Sequence, residues 1–126
     1  MSVEATAVGQ VSLLVTSVAG TEAFYADVLG LEHLYTFGDL VFFACGPTRL
    51  FLRAVPAADW TPSSIVYLQV DDIHAAHRAL TAALTFVDAP HMIHRHADGT
   101  EEWMSFFSDP AGNRLAVMSQ VEPVVA

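Results

Sequence analysis

The chain has 126 residues, 53% of them hydrophobic, with a mean hydropathy of +0.42, so it has the apolar material of one folded domain and is not a disordered polypeptide. Fourteen acidic residues against five basic ones give a formal charge of −9 and a pI near 4.8, which repels phosphate backbones and anionic membrane surfaces and excludes nucleic acid as an expected partner. No run reaches the roughly 18 apolar residues of a membrane helix, and the opening MSVEATAVGQ lacks the basic start and apolar centre of a signal peptide, so a cytoplasmic protein without a membrane partner is expected.

Residues 10–34, QVSLLVTSVAGTEAFYADVLGLEHL, open with an alternating strand and pass through a polar helix start. An amphipathic segment carrying Val18, Phe24, Val28 and Leu29 follows, and it breaks at Gly30. The apolar run LVFFACG follows with Cys45, the only cysteine, which has no disulfide partner in the chain and no basic neighbour to activate it; a packed thiol is expected. The stretch AVPAADWTPSS, with two prolines and no periodicity, reads as a linker. Residues 65–87, IVYLQVDDIHAAHRALTAALTFV, then repeat the first segment at an offset of 55, pairing Val15 with Val70, Ser17 with Asp72 and Leu29 with Leu84. FFACGPTRLFL likewise matches FFSDPAGNRLAV. Each half therefore reads as βαβββ: module 1 over about 8–54, a linker over about 55–63 and module 2 over about 64–121.

The segment HMIHRHADGTEEWMSFF holds His91, His94 and His96 around Asp98-Gly99, a two-residue hairpin signal. With that turn setting the register, His96 faces Glu101, His94 faces Trp103 and Met92 faces Ser105, while Arg95 faces Glu102 and Ile93 faces Met104.

TEAFYADVLGL, VDDIHAAHRAL and FFSDPAGNRL together resemble the vicinal oxygen chelate superfamily of glyoxalases, bleomycin-resistance proteins and extradiol dioxygenases, over nearly the whole chain. The resemblance implies an α+β fold in which two tandem βαβββ modules form a glyoxalase-like cupped mixed sheet, a homodimer, and a small-molecule ligand or substrate. In metal-using members His, Gln or Glu ligands stand on the first and last strand of each module. The corresponding positions here are Gln10, Phe51, Ile65 and Ala116. One neutral amide does not make a divalent-cation site, so no metal and no cofactor is expected, and Ala116 is expected to leave room where a ligand would stand.

Strand alternation from these positions brings Ser12, Leu14, Tyr67, Gln69, Arg53 and Met118 to the same wall, with Arg49 and Arg114 beside turns and expected in solvent. The candidate ligand-binding set is Gln10, Ser12, Phe51, Arg53, Ile65, Tyr67, Gln69, His94, Trp103, Ala116 and Met118. An inward Arg53 either pairs with an acid or meets a ligand carboxylate or carbonyl. Trp103 reads as a stacking wall or as core filler.

Three functions compete. The first is a metal-independent protein that encloses a hydrophobic or aromatic small molecule, as drug-sequestering relatives do. The second is a lyase or isomerase moving a proton with His91, His94 or Tyr67 while Arg53 holds an oxyanion. The third is a glyoxalase-like or dioxygenase-like metalloenzyme with a non-standard site built from Gln10 and the histidines or glutamates of residues 91–102.

Overall fold

Two residues 55 apart start the two helices in the same way. In the computed structural model, which describes residues 2–84 and 86–123, the Ser17 side chain accepts a hydrogen bond from the Gly20 N–H at 3.0 Å. Asp72 accepts from His74 and Ala75 at 3.0 and 3.1 Å. Both satisfy backbone donors that a helix start leaves without an internal partner. The chain divides into two compact units, Met1–Ser63 and Ser64–Ala126.

The first unit runs β1 (Gln10–Val15), α1 (Val18–Ala23), β2 (Glu32–Phe37), β3 (Leu40–Cys45) and β4 (Thr48–Ala54). A π-helical turn, Phe24–Val28, extends α1, with the Leu29 N–H reaching back to the Phe24 carbonyl at 3.0 Å. That turn carries Phe24 and Tyr25, both buried, and the chain then breaks at Gly30 in the left-handed region, φ 73°. The sheet order is β1-β4-β3-β2, with β1 parallel to β4 and the other pairs antiparallel. Alternate residues Leu13, Val15, Val41, Phe43, Leu50 and Leu52 are buried, and α1 packs on β3 and β4. Residues 55–63, read as a linker, hold to this unit: the Val55 N–H donates to the Val15 carbonyl at 2.9 Å, and the Trp60 indole N–H to the Leu14 carbonyl at 2.9 Å.

The second unit repeats the plan with β5 (Val66–Gln69), α2 (Ile73–Leu80), β6 (His91–Arg95), β7 (Glu101–Ser108) and β8 (Arg114–Val121), in the order β5-β8-β7-β6. Leu68, Ile73, Phe107, Leu115 and Val117 form its buried side, with α2 on β7 and β8. The two mixed four-stranded sheets with one principal helix each are the α+β architecture of two tandem βαβββ modules. No helix among the described residues is long and apolar enough to cross a membrane.

The β6–β7 register departs from the expectation by one residue beside the turn and by two beyond an irregularity in the strand. The Gly99 N–H donates to the His96 carbonyl at 3.0 Å, the His96 N–H to the Thr100 carbonyl at 2.8 Å, and Gly99 has φ 93°. The connection is therefore a three-residue loop with glycine in the left-handed position, and not a two-residue Asp98-Gly99 turn. Arg95 pairs with Glu101 and His94 with Glu102; after an irregularity between Met92 and His94, Met92 pairs with Trp103 and His91 with Met104. The expected Arg95–Glu102 and His94–Trp103 pairs are not formed.

Candidate functional site

Each sheet has a helix face and a far face, and the far faces carry the candidate residues. In the first unit the register aligns Ser12 with Phe51 and Phe51 with Phe42, and Phe42 with Tyr35, so one residue from each of β1, β4, β3 and β2 forms a row across the sheet. Three of the four are aromatic and stack: Tyr35 on Phe42 at 4.5 Å between ring centroids and 21° between planes, and Phe42 on Phe51 at 5.0 Å and 10°. The ring spacing follows the roughly 4.8 Å spacing of the strands beneath. The fourth member, Ser12, is small, and beside it lies a hollow of about 250 Å³ lined by Ser12, Leu13, Leu14, Phe51, Arg53 and Ser63.

Two arginines flank the row on β4, and their settings differ. Arg49, expected in solvent, is exposed but engaged: its Nε donates to the Gln10 Oε1 at 2.8 Å, and its guanidinium carbon stands 5.4 Å from the Phe42 ring centre. Arg53 is exposed and lines the hollow, and its side chain makes no hydrogen bond or ion pair to any described residue.

The far face of the second sheet is built from different sizes. Ala116, the positional counterpart of Phe51, is fully buried and pairs with Tyr67 on one side and Phe106 on the other. Those two residues sit two strand spacings apart, roughly 10 Å, yet their rings approach to 5.9 Å edge to face. They lean together over the alanine, so the room expected at Ala116 is closed. Gln69 and Met118 pair beside them.

At the other end of this sheet His96 Nε2 lies 2.7 Å from Glu102 Oε2, the Gln120 amide N–H donates to the same oxygen at 2.7 Å, and the His94 ring is 4.7 Å from that of His96. The His96 hydrogen bond, followed by that of Gln120, holds the Glu102 carboxyl below its ordinary range. On the helix face Arg95 Nε donates to Glu101 at 2.9 Å and the Trp103 indole donates to the same carboxylate at 3.0 Å, which lowers the Glu101 pKa chiefly through Arg95. Trp103 also meets the His74 ring of α2 at 5.1 Å. It therefore stands on the opposite face from His94 and shares no wall with it.

The three acid-base candidates do not converge. Tyr67 is on β5 and His91 and His94 are on β6, the two edges of the sheet, with two strands between them, so their backbones are roughly 14 Å apart. His91 Nδ1 instead lies 3.2 Å from the Ala89 carbonyl and 3.4 Å from Asp88.

The donor set implied for a metal does not fit a cation in either unit. In the first, Gln10 spends its amide oxygen on Arg49, and Phe51 offers only a ring. In the second, Ala116 has no donor atom, and Ile65 precedes β5 and is 40% exposed. No group of three or more His, Cys, Asp or Glu side chains suited to a metal ion occurs among the described residues.

The doubled βαβββ plan and the strand positions agree with a family model matching residues 7–117, that of the Glyoxalase/Bleomycin resistance protein/Dioxygenase superfamily. The chain belongs to that superfamily. Among solved members of the fold, lactoylglutathione lyase from Agrobacterium tumefaciens is 26% identical with a TM-score of 0.72, covering 92% of this chain and 95% of its own. A virulence protein from Salmonella typhimurium is 21% identical, with a TM-score of 0.74 and coverage of 93% and 98%. An integron cassette protein from the mobile metagenome of V. cholerae is 19% identical, also at 0.74, with coverage of 94% and 98%. No curated protein sequence matches the chain.

Within this superfamily member, sequence reading overlooked Tyr35 and Phe42 in the aromatic row and Gln120 beside Glu102. Phe42 follows from the alternation that identified Phe51, applied one strand earlier. Tyr35 does not, because the register of β2 on β3 shifts between His33 and Tyr35 and inverts the count of faces.

Proposed function

We propose that this superfamily member is a metal-independent protein that binds a hydrophobic or aromatic small molecule against the far face of its first sheet. The observation that carries the reading is Phe51. In the position where a metal-using relative has a ligand, it continues the Tyr35–Phe42 stack and borders the hollow beside Ser12. An apolar wall with a few polar handles is the composition of a small-molecule site. The similarity to a lactoylglutathione lyase supports a small organic ligand without naming it. Exposed Leu34, Tyr35 and Phe37 on the edge strand β2 support a homodimer as the working form, and we place the protein in the cytoplasm.

The test is metal content per chain by mass spectrometry on untagged protein, with melting before and after chelation and re-addition of zinc, nickel, manganese and iron. Less than a tenth of an ion per chain and an unchanged Tm are expected; stoichiometric metal whose removal lowers Tm overturns the reading.

A second reading, a lyase or isomerase, is favoured by one observation, the contiguous His94, His96 and Glu102 on the second sheet. It requires turnover that is lost in His94→Ala; a binder releases its ligand chemically unchanged.

A further inference from the structure

We propose that the hollow beside Ser12 takes a one-ring aromatic carboxylate, with its ring laid on Phe51 as the fourth member of the stack and its carboxylate on Arg53. This rests on the small-molecule reading above and adds the chemical class of the ligand.

The row Tyr35, Phe42, Phe51, Ser12 crosses all four strands in register, and stacking runs unbroken through the first three. One face of the Phe51 ring is taken by Phe42. Its other face looks towards the β1 position, where Ser12 supplies no ring. A planar group placed over Ser12 continues the stack at the spacing the strands set, and offset or parallel aromatic pairs contribute about 0.5–1.5 kcal/mol beyond the area they bury. Size agrees, since an apolar cavity of about 150 Å³ holds one benzene and the hollow here is about 250 Å³. It has room for one ring with a short polar substituent, and too little for a fused polycycle.

The polar end is set by the difference between the two arginines. Arg49 has spent its Nε on Gln10 and its guanidinium lies near the Phe42 ring, whereas Arg53 has no partner among the described residues. Arg53 stands two residues beyond Phe51 on β4, opposite Leu14 on β1, so it marks one end of the hollow. A guanidinium is always charged and presents paired N–H donors matched to a carboxylate, while a cationic ligand at this end meets repulsion. The chain's formal −9 opposes an anion at long range, but charges more than about 8 Å away are largely screened at physiological salt, which leaves the contact with Arg53 to decide.

Benzoate and phenylacetate, with benzamide and 2-phenylacetamide as neutral counterparts, are titrated into the full chain by calorimetry and followed by NMR. The wild type is expected to bind each carboxylate at least tenfold more tightly than its amide. Arg53→Gln abolishes that preference, lowering carboxylate affinity at least tenfold and amide affinity far less, and Arg49→Gln keeps it. Ser12→Phe, which supplies the fourth ring from the chain itself, blocks all four probes without lowering Tm, and so separates loss of the site from loss of the fold. Amides that bind as well as carboxylates, or a preference that survives Arg53→Gln, overturn the assigned class while the small-molecule reading stands. Carboxylate binding untouched by Ser12→Phe overturns the placement. Failure of all four probes to saturate the wild type overturns the proposal, and the metal measurement judges the broader reading separately.

Discussion

The same place in the two modules is filled in opposite ways. Where the first sheet sets small Ser12 beside large Phe51, the second sets large Tyr67 beside small Ala116, with Phe42 and Phe106 as the matching neighbours on the next strand. In the first sheet the rings stand upright in a stack and the small residue leaves a hollow; in the second, two rings lean over the small residue and bury it. One backbone plan thus yields a face with space and a face without it. Over these three matched positions each sheet carries two rings and one small residue, so the difference there comes from where the volume is placed along the row.

The hairpins into the last strands differ in the same manner, and they offer the largest test. β3 and β4 are joined through Gly46-Pro47, whereas between β7 and β8 the buried Asp109 accepts from the Ala111, Gly112 and Asn113 N–H groups at 3.0, 2.9 and 2.8 Å and from the Asn113 side chain at 2.9 Å. Asp109→Ala strands the buried backbone and side-chain N–H groups of Asn113 and removes the partner of two further N–H groups, and is expected to cost about 3 kcal/mol in denaturant unfolding. A loss below about 1 kcal/mol, the ordinary value for a mutation, would remove the loop as a distinguishing anchor.

Next in size is the volume exchange itself. Ala116→Phe pushes a ring under Tyr67 and Phe106 and is expected to lose about 2–3 kcal/mol through overpacking. Adding Tyr67→Ser recreates the arrangement of the first sheet and recovers most of that loss. A double variant no more stable than Ala116→Phe breaks the comparison, because neighbours that exchange volume must show non-additive energies.

The helix starts sharpen it further. Asp72 caps two N–H groups with a charged oxygen and Ser17 caps one with a hydroxyl. Asp72→Ala is therefore expected to cost about 1 kcal/mol or slightly more and Ser17→Ala less. Equal losses in chemical denaturation would show that the second helix start is no stronger than the first.

The smallest effect concerns acid. Glu101 and Glu102 are held below the ordinary glutamate value of 4.5, the first chiefly by Arg95 and the second chiefly by His96. Both bind protons more weakly folded than unfolded, so their contribution is complete above about pH 4.5 and fades as the pH falls through their folded values. Glu101→Gln and Glu102→Gln should flatten the fall of Tm with pH below 4.5, and an unchanged slope would show that these exposed pairs contribute nothing measurable.

Much of this was legible in the amino-acid sequence. The offset of 55 paired Ser17 with Asp72, the two residues that cap the helices, and the period of two assigned Ser12, Phe51 and Arg53 to one face, because helix starts and strand alternation depend on a few consecutive residues. The histidine hairpin was misread because Asp98-Gly99 fits both a two-residue and a three-residue loop, and the choice moves Trp103 to the helix face. Tyr35 was hidden by a shift in strand register that no composition announces.

The amino-acid sequence by itself determined the doubled βαβββ plan, the absence of metal donors at three of the four implied positions, and the acidic net charge. These are properties of residue identity and short-range periodicity. Only the tertiary structure decided that Ala116 is covered, that Arg49 is engaged while Arg53 is not, and that three rings stack toward a hollow at Ser12. Each of those depends on which residues from different strands meet in register, and register is set by turns, bulges and packing acting across the whole sheet.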